Sequence, residues 1–179
     1  MRVSLWSRFS AVAVVVIAAA ISHPAAAQLG QVETQARQMI LVDYDTDTVI
    51  FEKNADELMP PSSMSKLMTA YMVFEQLEAG KLRLDDMLPV SEKAWRIQGS
   101  KMFVPLGGRV KVEDLLRGVI IQSGNDACIV LAEGIAGTEE RFAEMMTDRA
   151  RQLGLKNTTL RNASGWPDPQ HLTTARDLA

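Results

Sequence analysis

The chain has 179 residues, with 19 Lys and Arg against 22 Asp and Glu and a formal net charge of −3. That length suits one packed domain, and the lack of any Lys or Arg cluster excludes a phosphate-binding stripe and, with it, a nucleic-acid partner. With one cysteine, Cys128, no internal disulfide can form.

The first residues read as an export signal rather than as part of the fold. Arg2 and Arg8 give a positive start, Phe9 to Ile21 is an apolar run, and Ala25-Ala26-Ala27 offers a small-residue cleavage site. The run of 13 residues falls short of the roughly 20 that a membrane-spanning helix needs. Residues 1–27 are therefore assigned to a secretion signal peptide, and 28–179, with a net charge of −5, to the domain.

The domain opens with sheet. Met39 to Tyr44 and Thr48 to Lys53 are β-prone runs joined by the polar turn Asp45-Thr46-Asp47, the pattern of a hairpin. Pro60-Pro61 stops any regular element, and Ser62 is placed as the N-cap of a helix. Met64, Leu67, Met68, Tyr71, Phe74 and Leu77 follow at spacings of three and four up to Gly80, predicting a core-facing stripe. Leu82 to Gly108 is a loop-rich excursion with at most short helices. Helices are predicted over about Val112–Ile120 and Asp126–Ile135, broken at Ser123-Gly124-Asn125, and over Glu139–Leu153. A short strand is expected within Asn157–Asn162 and a loop over Ser164–Gln170. Thr174-Ala175-Arg176-Asp177 is a capping box that opens another helix. The chain stops two residues later, so the domain is expected to be incomplete.

Two polar groups carry chemistry. Ser63 and Lys66 lie three apart at the start of a helix, so their side chains share a face. A serine hydroxyl is a poor nucleophile until a base removes its proton, and an amine can do so only when uncharged. Burial among Met64, Leu67 and Met68 lowers a lysine pKa into a useful range. Free N–H groups at the helix start favour the oxyanion formed when a carbonyl is attacked. Ser123 and Asn125 fall at the break between two apolar helices, where Gly124 lets the backbone turn and both side chains can enter a cleft. The alternative there is a simple polar turn. Both motifs are short enough to arise by chance about 0.4 and 0.25 times in this composition, so their placement in the fold is what gives them weight.

Histidine is scarce. His23 lies in the signal segment, which leaves His171, expected to pack in a loop or face solvent and to be dispensable for acylation. No His, Cys, Asp and Glu constellation has the spacing of a metal site, and no cofactor is expected. Cys128, between Ala127 and Ile129, reads as a buried and inert thiol.

Pro61-Ser62-Ser63-Met64-Ser65-Lys66 and Gln122-Ser123-Gly124-Asn125-Asp126-Ala127 resemble the first two active-site motifs of the low-molecular-mass penicillin-binding proteins, the serine D-Ala-D-Ala carboxypeptidases. Leu153-Gly154-Leu155-Lys156-Asn157-Thr158, Ser164-Gly165-Trp166 and Thr173 to Ala179 extend the likeness over essentially all of 28–179. The resemblance implies an α+β fold of the serine β-lactamase and DD-peptidase type: a mostly antiparallel sheet packed with helices, with the active site between sheet and helical part. It implies that Ser63 forms the acyl-enzyme, Lys66 accepts its proton, Ser123 relays a proton and Asn125 binds substrate. The implied partners are peptidoglycan stem peptides ending in D-Ala-D-Ala, and β-lactams that acylate the same serine. The implied location is the periplasm, with peripheral attachment to the inner membrane through a carboxyl-terminal segment outside this sequence. The third motif of the family, Lys-Thr-Gly, occurs nowhere in the chain.

A class A β-lactamase shares the serine, the lysine and the compartment, but here the second motif reads Ser-Gly-Asn rather than Ser-Asp-Asn. A DD-endopeptidase is a narrower variant. A non-catalytic wall-binding module is the alternative of another class, supported by the missing third motif alone.

Overall fold

A computed structural model describes residues 33–179; the signal-peptide assignment and His23 lie outside the described residues. The predicted hairpin is present: β1 (Met39–Val42) and β2 (Val49–Lys53) pair antiparallel, with Met39 opposite Lys53 and Val42 opposite Val49. Asp43 holds the turn, its carboxylate accepting from the Thr46 N–H at 2.9 Å and from the Thr46 hydroxyl at 2.7 Å. The excursion after residue 82 contains β3 (Met87–Pro89), a short helix α2 (Glu92–Arg96) and β4 (Arg109–Lys111), with β3 and β4 antiparallel.

Helices build the interior: α1 (Lys66–Glu78), α3 (Val112–Gln122), α4 (Asn125–Ala136) and α5 (Glu139–Gln152). Every residue of α4 from Asn125 to Ala132 is buried, as expected of a helix that is apolar all round and so must be enclosed by neighbours. α1, α2, α3 and α5 all pack against it. Val73, Leu115, Ile129, Leu131, Phe142 and Met146 are wholly enclosed in this core. Cys128 is enclosed with them, as its apolar neighbours imply. α5 starts at Thr138, whose hydroxyl accepts from the Arg141 N–H. The short helix α6 (Ala175–Leu178) starts at Thr174, whose hydroxyl accepts from the Asp177 N–H. The combination of helices and antiparallel pairs is the expected α+β class.

Three local expectations are corrected. The stripe assigned to the core in α1 turns inward only in part: Met68 and Leu77 pack against the core, but Leu67 is 65% and Phe74 51% exposed, and Met64 and Tyr71 are exposed as well. The buried residues are instead Lys66, Thr69, Met72 and Val73. α1 is apolar on both sides, so periodicity alone cannot choose between them. The choice is made by polar anchors, since the Thr69 hydroxyl donates to the Ala163 carbonyl at 2.6 Å and Lys66 has three partners within the fold.

Second, Ser62 is not a helix N-cap. Residues Ser62–Ser65 form a 3₁₀ turn ahead of α1, and Ser62 takes the left-handed conformation at φ 50°. Its carbonyl accepts from the Ser65 hydroxyl at 2.9 Å, which tightens the turn and delays the α-helix to Lys66. Third, Asn157–Asn162 forms no extended strand; one bridge pairs Thr159 with Leu172. The next ladder groups are diverted to side chains: Leu160 N–H donates to the Thr147 hydroxyl, that hydroxyl donates to the Leu160 carbonyl, and Arg161 N–H donates to His171.

Candidate active site

The 3₁₀ turn presents Ser63 and the first turn of α1 presents Lys66, so the pair meets as the spacing requires: Lys66 Nζ lies 3.1 Å from Ser63 Oγ. Lys66 is buried. Its ammonium position is enclosed by two further acceptors, Asn125 Oδ1 at 2.8 Å and the Ser164 carbonyl at 2.7 Å. None of these partners is charged. Burial therefore pushes the Lys66 amine below its ordinary value of 10.5. Among neighbouring titratable groups, Cys128 is the one placed to oppose that shift. Its own thiol is pushed up by burial to about 12, so at neutral pH it carries no charge with which to oppose the shift. The site thus sets an amine whose charged form burial disfavours against a serine hydroxyl, the direction of shift that nucleophile activation calls for.

Asn125 is the first residue of α4, and its side chain is fixed at both ends. While Oδ1 accepts from Lys66, Nδ2 donates to the Gln98 carbonyl at 2.8 Å, and the backbone N–H donates to the Ser100 carbonyl at 2.8 Å. The intervening Gly99, at φ +83°, has no room for a side chain, since a Cβ would sit 2.7 Å from Asn125 Nδ2. Asp126 continues the same clamp, its carboxylate accepting from the N–H groups of Met102 and Val104 at 3.0 and 3.1 Å. The loop of residues 98–104, opaque in sequence, is thereby tied to the start of α4.

Ser123 terminates α3 in the left-handed conformation at φ 55° and is half-buried. Among the described residues its hydroxyl makes no hydrogen bond to Ser63, Lys66 or Asn125. The fold therefore brings Lys66 into direct contact with both Ser63 and Asn125 and sets Ser123 two residues from Asn125 at the helix break.

Sequence reasoning placed a loop over Ser164–Gln170 but missed that its start, folded on Asn162, reaches Lys66. Asn162 Oδ1 accepts from the N–H groups of Ser164, Gly165 and Trp166 at 3.2, 2.8 and 3.0 Å, and Nδ2 returns a bond to the Trp166 carbonyl. This turn aims the Ser164 carbonyl at Lys66. A main-chain acceptor leaves no residue-type signature; the available signal was the Asn two residues before Ser164-Gly165, a common loop-folding pattern. His171, expected in a loop or in solvent, is buried, with both ring nitrogens bonded.

Comparison with known proteins identifies the family. The family model described as D-alanyl-D-alanine carboxypeptidase (Peptidase S11) matches residues 23–179. The chain is 47% identical over 150 residues to the D-alanyl-D-alanine carboxypeptidase DacC of Escherichia coli, covering 80% of this chain and 38% of that protein. It is 39% identical over 145 residues to DacF of Bacillus subtilis, covering 81% and 37%. Among solved structures, DacD of Francisella tularensis superposes with a TM-score of 0.81 at 41% identity, covering 84% of this chain and 36% of that one. Penicillin binding protein 5 of Haemophilus influenzae superposes with a TM-score of 0.79 at 40% identity, covering 82% and 44%. The chain thus spans less than half the length of these relatives. With the match running over nearly all the described residues and through the Ser63, Lys66 and Asn125 cluster, the chain belongs to the D-alanyl-D-alanine carboxypeptidase family.

Proposed function

We propose that this chain supplies the nucleophilic half of a serine D-alanyl-D-alanine carboxypeptidase, with Ser63 as the acylated residue and Lys66 as its base. The observation that carries the reading is the buried amine 3.1 Å from the Ser63 hydroxyl, surrounded by uncharged acceptors. Ser63 Oγ attacks the carbonyl carbon of the penultimate D-Ala of a peptidoglycan stem peptide as Lys66 Nζ takes the hydroxyl proton. The carbon–nitrogen bond to the last D-Ala then breaks, the departing amine takes a proton, and water cleaves the resulting ester to free Ser63. Asn125, which holds Lys66 through Oδ1, binds a substrate carbonyl through its amide. Ser123, at the α3–α4 break, relays the proton toward the leaving amine.

Penicillins enter the same pathway, because their strained amide presents a carbonyl to the same hydroxyl. In this reading residues 1–27 direct export and 28–179 form part of a DD-peptidase catalytic domain. The enzyme works in the periplasm, held to the outer face of the inner membrane by a segment beyond residue 179. The Lys-Thr-Gly element that completes substrate carboxylate binding in this family also belongs to that further sequence.

The test is mass spectrometry of the complete gene product after benzylpenicillin, with the adduct mapped to a peptide, beside an assay for D-Ala release from a pentapeptide. An adduct on Ser63 with D-Ala release is expected. An adduct elsewhere, or none, overturns the reading. Rapid turnover of nitrocefin would point to a β-lactamase, and preference for cross-linked dimers over free pentapeptides to an endopeptidase.

A further inference from the structure

His171 sits about a hundred residues from the nucleophile in sequence and is 2% exposed. Its hydrogen bonds run in one direction only. The Arg161 N–H lies 3.0 Å from Nδ1 and, being a backbone amide, can only donate. The ring nitrogen it meets must therefore accept, which places the proton of the neutral imidazole on Nε2. Nε2 lies 2.8 Å from Ser65 Oγ and donates to it. Ser65 Oγ in turn donates to the Ser62 carbonyl at 2.9 Å. Burial disfavours the charged ring, consistent with a neutral relay.

What this relay holds is the residue immediately before Ser63. Ser62 is a non-glycine in the left-handed region at φ 50°, a conformation that persists only where its surroundings over-determine it. The surroundings act from two sides. The Ser65 hydroxyl binds the Ser62 carbonyl, and Gly165 packs so closely against that oxygen that a Cβ would lie 1.8 Å away. The His171 backbone is itself anchored: its N–H donates to the Asp168 carbonyl at 3.1 Å, and the following Leu172 and Thr173 bridge to Thr159 and Met59.

We propose that His171 is a positioning residue for the nucleophile: through Ser65 it fixes the Ser62 carbonyl and with it the backbone turn that aims Ser63 Oγ at Lys66. This rests on the reading of Ser63 as the acylated residue. It replaces the expectation that His171 is dispensable for acylation. His171 touches no reacting atom, and its effect is confined to the turn.

The test separates capture from chemistry in the complete gene product, using the concentration dependence of acylation by benzylpenicillin. His171→Gln keeps an N–H close to the position of Nε2. His171→Asn keeps an acceptor near Nδ1 but cannot reach Ser65. Ser65→Ala removes the middle link and a single oxygen. His171→Asn and Ser65→Ala are expected to lower the limiting acylation rate about tenfold to a hundredfold, the cost of a sub-ångström to ångström misplacement of a reacting group, while the half-saturating concentration stays within about twofold. His171→Gln is expected to recover most of the rate. Thermal melting, recorded for each variant, confirms that folded proteins are compared. The proposal is overturned if Ser65→Ala and His171→Asn acylate at the wild-type limiting rate, or if His171→Gln is as slow as His171→Asn, which would assign the loss to packing. An adduct that maps away from Ser63 in the wild type instead brings down the underlying reading, and the proposal with it.

Discussion

Gly165 and Ser62 meet backbone to backbone: a Cβ on Gly165 would stand 1.8 Å from the Ser62 carbonyl oxygen and 2.9 Å from the Ser65 hydroxyl. The carbonyl is main chain and cannot swing aside, and the hydroxyl can turn away only by giving up its bonds to the Ser62 carbonyl and His171. Gly165 also sits at φ +79°, where a side chain costs about 1–2 kcal/mol by itself. Gly165→Ala is therefore expected to displace the turn that carries Ser63 and to abolish penicillin labelling at concentrations that saturate the wild type. Labelling at the wild-type rate would mean that the turn tolerates the shift.

Lys66 yields a prediction with a definite sign. Its amine is pushed below 10.5 by burial, and only the neutral form can take the Ser63 proton, so the acylation rate should climb with pH along a limb centred below the ordinary lysine value. Lys66→Ala removes the base and is expected to lower acylation by about 10²–10⁴-fold, the span of general-base catalysis. Lys66→Arg, which cannot lose its proton at these pH values, should be as slow. Stopped-flow labelling across pH checks both, and a flat wild-type profile would remove Lys66 from the base role.

Much of this was legible in the sequence, for identifiable reasons. Ser63 and Lys66 meet because a spacing of three survives whether the turn is 3₁₀ or α. The α3–α4 break, the α5 helix and the Thr174 cap follow from local signals that tertiary contacts did not override. The orientation of α1 was not legible, because Leu67 and Phe74 on one side and Met72 and Val73 on the other are equally apolar. The deciding bonds, from Thr69 to Ala163 and from Lys66 to Ser164, reach residues nearly a hundred positions away. Nor could a strand at 157–162 be rejected in advance, since the Thr147 hydroxyl and the His171 ring that occupy its backbone groups come from segments on either side of it whose approach local sequence does not specify.

Glu139 ties the same loop to α5. It is buried, with Oε1 accepting from the Ala163 N–H at 3.0 Å and Oε2 2.9 Å from Lys93 Nζ, an amine that is itself half exposed. Glu139→Ala orphans a buried N–H and is expected to destabilise the fold by about 1–3 kcal/mol. Glu139→Gln preserves an acceptor and forfeits only a partly solvated ion pair, below about 1 kcal/mol. Denaturant titration of the two variants distinguishes these outcomes; equal losses would show that the charge, not the acceptor, matters.

His171 should also leave a mark on stability. Burial lowers its pKa from the ordinary 6.5, so on acidification the unfolded chain takes up the proton first, and stability falls as the pH drops through and below that value. His171→Gln lacks this titration. Its melting temperature should lose less than that of the wild type between neutral and mildly acidic pH, and parallel curves would argue against a neutral buried ring.

Cys128 is the single thiol in the chain, wholly enclosed and shifted to about 12. Alkylating reagents and mild oxidants attack thiolates at accessible surfaces, so they should leave it untouched in the folded protein. A cysteine introduced at an exposed position such as Leu67 would then be the one site in this stretch to accept a fluorophore or spin label, and the region around the nucleophile can be followed spectroscopically without first deleting the native residue.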